Sequence, residues 1–132
     1  MRNLFLVISF LSISLSWAQF SVEEQQEIDR LSSVISNQNS HDTAVADAYL
    51  DLSGMLYVTN LDTMIPVCLK ALSIVNKGID KTSDSIVINK FRNIESGAYN
   101  NIGFAHMNKG DIDSAIFYIL KSIEIIEILR AF

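Results

Sequence analysis

The sequence predicts an all-α protein built from antiparallel helical hairpins. Apolar residues recur every three to four positions over long stretches, which is the spacing of one helical face. Near the end of the chain, a tight turn at Asn108-Lys109-Gly110-Asp111 separates two such stretches. A weaker copy of the same arrangement lies 50 residues upstream, at Ala48 to Ser53 against Ala98 to Gly103. Together these observations favour paired amphipathic helices, each with one face to bury.

The first eighteen residues are predicted to be a secretory signal peptide. Arg2 precedes an apolar run from Leu4 to Leu15, and Ser16-Trp17-Ala18 supplies a small-x-small exit. A membrane anchor is the competing interpretation, but the apolar run is only about 12 residues, whereas a bilayer span needs about 20. We therefore expect cleavage near Ala18, export to the periplasm or the extracellular space, and no stable membrane span in the remaining chain.

The predicted mature domain, residues 19–132, is short and acidic. Removing Arg2 from the ten basic side chains leaves nine against fifteen acidic ones, a net charge of −6. This balance disfavours non-specific nucleic-acid binding. A chain of this length can form one domain with a limited core.

The first helix is predicted from Ser21 to Ser36. Ser21 and Glu24 have the spacing of a capping box, and Ile28, Leu31 and Ile35 line one side. Asn37 to Asp42 is predicted to be the loop that follows it.

The next two helices form the upstream hairpin, with a turn around Asn60. Pro66 falls near the start of the second of them, and a proline deep in a helix costs about 3 kcal/mol. We therefore expect that helix to begin late, near Asp62 or Thr63, so that Pro66 stays in its first turn.

The last two helices form the downstream hairpin. The turn-rich segment Gly78 to Ser85 precedes it, and apolar residues at helical spacing then predict a helix of about 24 residues, from near Ser85 to near Met107. Gly110 suits the left-handed residue that ends a helix, and Asp111 can cap the next one. The chain therefore has about five helices after the signal peptide.

The downstream hairpin resembles a tetratricopeptide repeat. Tyr99, Ile102-Gly103, Gly110-Asp111, Ala115 and Ser122 take the positions of that pattern in order, while His106 and Ile119 replace aromatic residues. Lys70 to Ile74 parallels Lys121 to Ile125 at an offset of 51, which adds a degenerate upstream repeat at about 44–77 to the better one at about 96–129. The resemblance implies a short stacked solenoid. Its packing positions would be Tyr49, Leu52, Ser53, Ala71, Tyr99, Ile102, Gly103, Ala115, Ile119 and Ser122.

The resemblance also implies a binding groove lined by the first helix of each pair. The candidate residues are Leu50, Gly54 and Tyr57 in the upstream repeat and Asn100, Phe104 and Asn108 in the downstream one. Such a surface suits a peptide with apolar anchors, with the amides fixing its backbone. The alternative is that the apolar members of this set are covered by the chain's own helices.

No residue set indicates catalysis, a cofactor or a metal. The sequence has no Gly-x-Ser-x-Gly, phosphate-loop or HExxH motif. Cys68 is the only cysteine and is expected to be a buried core residue; an intermolecular disulfide is the alternative. His41 is expected in a solvated loop and His106 in a helix interface.

The leading hypothesis is a non-catalytic, exported module that binds a protein or peptide. It is similar to the N-terminal sensory arrays of bacterial sensor kinases and related regulators. The alternative is a self-contained helical domain that binds a small ligand or serves as an oligomerisation scaffold. Apolar residues crowd the last ten positions, so we expect either a longer protein or self-association through the last helix.

Overall fold

The computed structural model describes residues 20–57 and 59–131, in which every regular element is an α-helix. The predicted all-α class is therefore confirmed. The predicted signal peptide lies outside the described residues. The five helices are α1 (Val22–Ser36), α2 (Asp42–Met55), α3 (Leu61–Ile79), α4 (Ser85–Asn108) and α5 (Ile112–Arg130).

Helix α1 begins with the predicted capping box. The Ser21 hydroxyl accepts a hydrogen bond from the Glu24 backbone N–H at 3.2 Å, and the Glu24 carboxylate accepts one from the Ser21 N–H at 2.7 Å. Ile28 and Leu31 are buried, whereas most of the remaining α1 side chains are polar and exposed. Helix α1 is thus amphipathic and has a solvated outer surface.

Helix α3 begins earlier than the sequence suggested. Its N-cap is Asn60, whose side-chain oxygen accepts from the Thr63 N–H at 3.1 Å. Pro66 is therefore the sixth helical residue, beyond the first turn, and the expected start near Asp62 or Thr63 is wrong. The Asn60 cap and the burial of Met64, two residues before Pro66, outweigh the backbone bond that proline cannot make.

Helix α4 runs without interruption for 24 residues, as predicted. The turn that follows contains Gly110, whose φ of +79° lies in the left-handed region. Asp111 then caps α5, because its carboxylate accepts from the Ser114 N–H at 3.2 Å. The downstream hairpin therefore begins and ends within a residue or two of the positions expected from the sequence.

The helices pack in an alternating order. Helix α2 contacts α1, α3 and α4, and helix α4 contacts α2, α3 and α5, whereas the described helices α1, α3 and α5 do not pack directly on one another. Helices α2 and α4 are therefore inner partners to the other three. In this arrangement α1 takes the place of the second helix of a preceding hairpin, which accounts for the odd number of helices.

The core lies where α3 meets α4, with a contribution from α2. One cluster joins Met64, Cys68 and Leu72 of α3 to Ala98, Ile102 and Ala105 of α4. A second cluster joins α2, α3 and α4 and contains Ala46, Ala71, Val75, Phe91 and Ile94. Burying these apolar side chains holds the three central helices together.

The seam between α4 and α5 is closely packed and contains two buried hydroxyls. A Cβ atom on Gly103 would lie 2.8 Å from Ile119 Cγ1 and 3.1 Å from the Ala115 carbonyl oxygen. Glycine is therefore needed for these helices to approach so closely. In the same seam the hydroxyls of Ser96 and Ser122 lie 2.9 Å apart, and Ser96 Oγ donates to the Ser122 carbonyl at 3.2 Å.

Within the described part of the chain, no helix combines the length and apolarity that a membrane crossing requires.

Candidate peptide-binding face

Five of the six candidate groove residues lie on α2 and α4, which run side by side, and Tyr57 lies in the turn just after α2. Gly97 of α4 permits this approach, since a Cβ atom there would lie 2.8 Å from Leu50 Cδ2 of α2. The Asn101 side-chain amide also donates to Ser53 Oγ at 2.9 Å, which links the two helices directly. We call the solvent-facing surface that these two helices share the α2–α4 face.

Leu50 does not line an open groove. It is partly buried and packs against both core clusters and against Gly97. For this residue the structure agrees with the alternative interpretation, in which the chain covers its own apolar side chain. The sequence could not show this, because the contact depends on Gly97, which lies 47 residues further along the chain.

Tyr57 and Phe104 form an apolar pair at one end of the α2–α4 face. Their ring centroids are 4.4 Å apart, at an interplanar angle of 46°. Tyr57 is 48% exposed, and Phe104 is partly buried against the core. Close by, the hydroxyl oxygen of Thr59 is buried without a hydrogen-bond partner among the described residues. This end of the face can therefore offer an aromatic surface to a ligand.

The remaining three candidates are exposed, but they are not equally available. The Asn108 side-chain amide donates to the Phe104 carbonyl at 2.9 Å and so is engaged with its own helix. The Asn100 side chain is exposed and makes no hydrogen bond among the described residues. Gly54 is exposed, and a Cβ atom added there would meet nothing within 4 Å. The face thus contains an open strip at Gly54 and one available amide at Asn100.

A shallow cleft lies at the other end of the face, and the sequence did not predict it. It has a volume of about 400 Å³, and its lining includes Asp47 of α2 and Lys90 and Asn93 of α4. Asn93 precedes Asn100 by seven residues, which is two helical turns and keeps both on one side of α4. Extending the predicted stripe backwards along both helices would have found these residues.

Negative charge lies on the α2 side of the face. Partial burial raises the pKa of Asp51, and the nearby carboxylate of Asp47 raises it further. Burial is the larger cause of the raised pKa and repulsion from Asp47 the smaller one, and a cationic ligand group beside the two carboxylates would lower the pKa of Asp51.

The cysteine and the histidines have local roles. Cys68 is fully buried, as expected, and burial raises the pKa of its thiol. His41 caps α2 through Nδ1, which accepts from the Thr43 N–H at 3.3 Å. His106 stacks on Tyr118 with centroids 5.5 Å apart, and its Nδ1 lies 3.0 Å from Asp111 Oδ2. The sequence argument missed the capping role of His41 because histidine is not among the preferred N-cap residues.

The predicted packing positions fall into two groups. Some are only partly buried, namely Tyr49, Leu52, Tyr99 and Ile119, and the others are fully buried, namely Ser53, Ala71, Ile102, Gly103, Ala115 and Ser122. None of the ten is among the exposed residues. The positions that the repeat pattern singles out therefore lie within the helix interfaces.

Comparison with known proteins agrees with the packing of the downstream hairpin. Residues 96–128 match the tetratricopeptide repeat family, and the matched segment covers the second half of α4 and nearly all of α5. Comparisons with the curated proteins and with the solved structures found no match. The sequence-based assignment of this hairpin to a tetratricopeptide repeat is confirmed.

Proposed function

We propose that this chain is a non-catalytic, exported module that binds a short peptide segment of a partner protein on the α2–α4 face. Tetratricopeptide repeats generally mediate protein–protein interactions. The observation that carries the proposal is the Tyr57–Phe104 pair, in which Tyr57 is 48% exposed, beside the open strip at Gly54. A bulky apolar side chain can pack on the two rings, and the Asn100 amide can bind the peptide backbone.

The length of the face sets the length of the ligand. From Asp47 to Met55 the rise along α2 is about 12 Å, at 1.5 Å per residue, and Tyr57 follows in the turn after the helix. An extended chain covers about 12 Å with about four residues, at about 3.3 Å each, and a fifth residue reaches the aromatic pair. A pentapeptide with an apolar residue at one end therefore matches the distance from the carboxylate end of the face to the aromatic pair.

Selection from a library tests this proposal. A random dodecapeptide phage library is panned on the immobilised protein, and the enriched peptides are synthesised for titration. Gly54→Trp places a bulky side chain on the open strip, where a Cβ atom meets nothing within 4 Å, and replacing a helical glycine does not weaken the helix. We expect it to reduce affinity at least about tenfold, which corresponds to about 1.4 kcal/mol.

Ser32→Trp on the exposed surface of α1 is the matched control and should leave affinity unchanged. If no peptide is enriched, or if both variants bind equally well, peptide binding on the α2–α4 face is refuted.

We further propose that the module is the sensory N-terminal part of a longer signalling protein. The charged start, the short apolar run and the small-x-small exit of residues 1–18 support export. The net charge of −6 after that segment supports a partner other than nucleic acid. Fusing residues 1–40 to a reporter enzyme that is active only outside the cytoplasm tests export. An inactive reporter would contradict it.

The alternative function is an oligomerisation scaffold, in which copies associate through α5. The exposed apolar side chains of that helix favour this alternative over the binding of a small ligand. Light scattering distinguishes the two functions, since a scaffold is multimeric without added peptide and a peptide-binding module need not be.

A further inference from the structure

A cleft lies between α3 and α5, which do not pack directly on one another. It has a volume of about 470 Å³. Helix α5 contributes Phe117, Tyr118 and Lys121 to its lining, and α4, which packs on both neighbours, contributes Tyr99. The α3 side adds leucine, serine and asparagine side chains. We call this opening the α3–α5 cleft.

Three aromatic rings form a continuous surface in the α3–α5 cleft. The rings of Tyr99 and Tyr118 are stacked at an interplanar angle of 26°, with their centroids 6.1 Å apart. Phe117 meets Tyr118 edge to face, with the two centroids 5.2 Å apart. Aromatic rings attract one another in both of these geometries. Because Phe117 is 54% exposed, its ring can accept a further aromatic group in the same way.

Lys121 places a positive charge beside these rings. Its Nζ lies 5.0 Å from the centroid of Phe117 and 5.2 Å from that of Tyr99, within the range of cation–π attraction. Among the described residues, no carboxylate lies within ion-pair distance of this ammonium. The carboxylate of Glu95 on α4 is paired with Arg92 at 2.6 Å instead. The cleft therefore holds a positioned, partly buried cation without a counter-charge.

The aromatic surroundings of this lysine are specific to the downstream hairpin. At the internal offset of 51 residues, Phe117 and Lys121 align with Pro66 and Lys70. Lys70 is exposed, and the cation–π contacts of the described chain involve Lys121 and not Lys70. The upstream hairpin folds without a ring beside its lysine, so hairpin packing alone does not require this arrangement.

We propose that the α3–α5 cleft binds a small planar aromatic carboxylate with a single negative charge. Its carboxylate pairs with the Lys121 ammonium, and its ring packs on the exposed ring of Phe117. A monoanion is favoured because one lysine balances one negative charge, whereas the net charge of −5 repels a polyanion. Apolar walls with a few polar groups are typical of small-molecule sites. None of the candidate groove residues lines this cleft, so the inference does not depend on peptide binding at the α2–α4 face.

Titration with phenylacetate, followed by NMR spectra of the isotopically labelled protein, tests the proposal. We expect half-saturation below about 5 mM for a ligand of this size, with the largest chemical-shift changes in the α3 and α5 residues that line the cleft. Phenylacetamide has the same ring and nearly the same size but no charge, and it should bind at least about fivefold more weakly. If phenylacetate causes no change, if the amide binds equally well, or if the largest changes lie outside the cleft, the proposal is overturned.

A pair of variants tests the role of the lysine. Lys121→Met removes the charge and keeps an unbranched side chain, so it should weaken phenylacetate binding at least about fivefold and leave phenylacetamide binding within about twofold. Lys70→Met, at the equivalent position of α3, is the matched control and should leave both affinities unchanged. Equal losses from the two variants would indicate an effect of net charge alone and overturn the proposal, as would an unchanged affinity in Lys121→Met. The comparison of acid with amide uses the unaltered protein and decides the outcome even if a variant fails to fold.

Discussion

The two hairpins solve the same packing problem with different side chains. In the downstream hairpin, Gly103 leaves room for the large side chain of Ile119. At the equivalent upstream positions the chain has Ser53 and Cys68, which are both of intermediate size and both fully buried. A small residue against a large one and two medium residues against each other fill a similar volume. The upstream hairpin thus has different side chains at its crossing, and both are buried.

The comparison teaches that the side chains at a crossing point need to match each other more than they need to match a family pattern. The serine also adds a contact that glycine could not make. Ser53 Oγ donates to the Leu50 carbonyl at 2.6 Å and accepts from Asn101 of α4. The upstream crossing residue is therefore tied to α4 by a hydrogen bond, whereas Gly103 has no side chain and its contact with α5 is close packing.

The strongest test of this difference is Gly103→Leu. The new side chain would collide with Ile119 and with the Ala115 backbone, which cannot move away as a flexible side chain could. We expect a loss of about 3 kcal/mol in the free energy of unfolding, at the upper end of overpacking costs. Urea denaturation measures it. A loss below about 0.5 kcal/mol would show that the close approach of α4 and α5 is not required.

A second test removes the proline of the upstream hairpin and places one at the equivalent position of the downstream hairpin. Pro66 lies inside α3, and Phe117 occupies the equivalent position of α5. Pro66→Ala restores a backbone donor and should stabilise the protein by about 1 to 2 kcal/mol, since part of the usual penalty is offset by a more flexible unfolded chain.

Phe117→Pro, the reverse change at the equivalent position of α5, should lower the free energy of unfolding by about 3 kcal/mol. Thermal unfolding of both variants measures the pair. Destabilisation by Pro66→Ala would show that α3 depends on the fixed φ angle of the proline.

The third test converts the upstream crossing into the downstream type. Cys68→Ile alone should overpack against Ser53 and cost about 1 to 2 kcal/mol. Adding Ser53→Gly should recover the packing cost but lose the hydrogen bond from Asn101, so the double variant should remain about 1 kcal/mol below the original. Strictly additive losses would indicate that the two positions do not share the same space.

The smallest effect concerns the caps. Asn60 caps α3 as a neutral amide, and Asp111 caps α5 as a carboxylate. The hydrogen bonds that Asp111 accepts from Ser114 lower its pKa below the ordinary 3.8, and His106 lowers it further. The ionised cap therefore stabilises the fold fully above the ordinary pKa, and this contribution is lost as the pH falls through the lowered one.

Asp111→Asn should reduce the acid sensitivity of the melting temperature while changing it little at pH 7. Asn60→Asp is the reciprocal control and should add acid sensitivity. Identical melting curves between pH 2 and pH 5 for the original and Asp111→Asn would contradict the role of the ionised cap.

Local signals were sufficient to predict most of the fold. The Ser21 capping box, the Gly110–Asp111 turn and the 24-residue length of α4 depend on residues close together in sequence, and the structure has all three. The start of α3 was missed because the local penalty of Pro66 competes with the Asn60 cap and with burial of Met64, and the sequence does not reveal which effect is larger.

The candidate site was harder to predict because it depends on contacts across the chain. Tyr57 and Phe104, both candidate groove residues, lie together, whereas the Leu50 side chain packs against Gly97. The cleft beside Asp47 belongs to the same helical stripes but lies further from the turn than the family pattern reaches. Side-chain availability, rather than helix position, was the information that the sequence lacked.

The paired hydroxyls of Ser96 and Ser122 limit how α4 and α5 can slide past each other. Apolar seams tolerate small shifts, because one aliphatic contact substitutes for another at little cost. Moving either helix by one turn, about 5.4 Å, would separate these two buried oxygens and leave each without its partner. Each unpaired buried hydroxyl costs about 1 to 3 kcal/mol. The hydrogen bond between these two hydroxyls therefore fixes the register of α4 against α5.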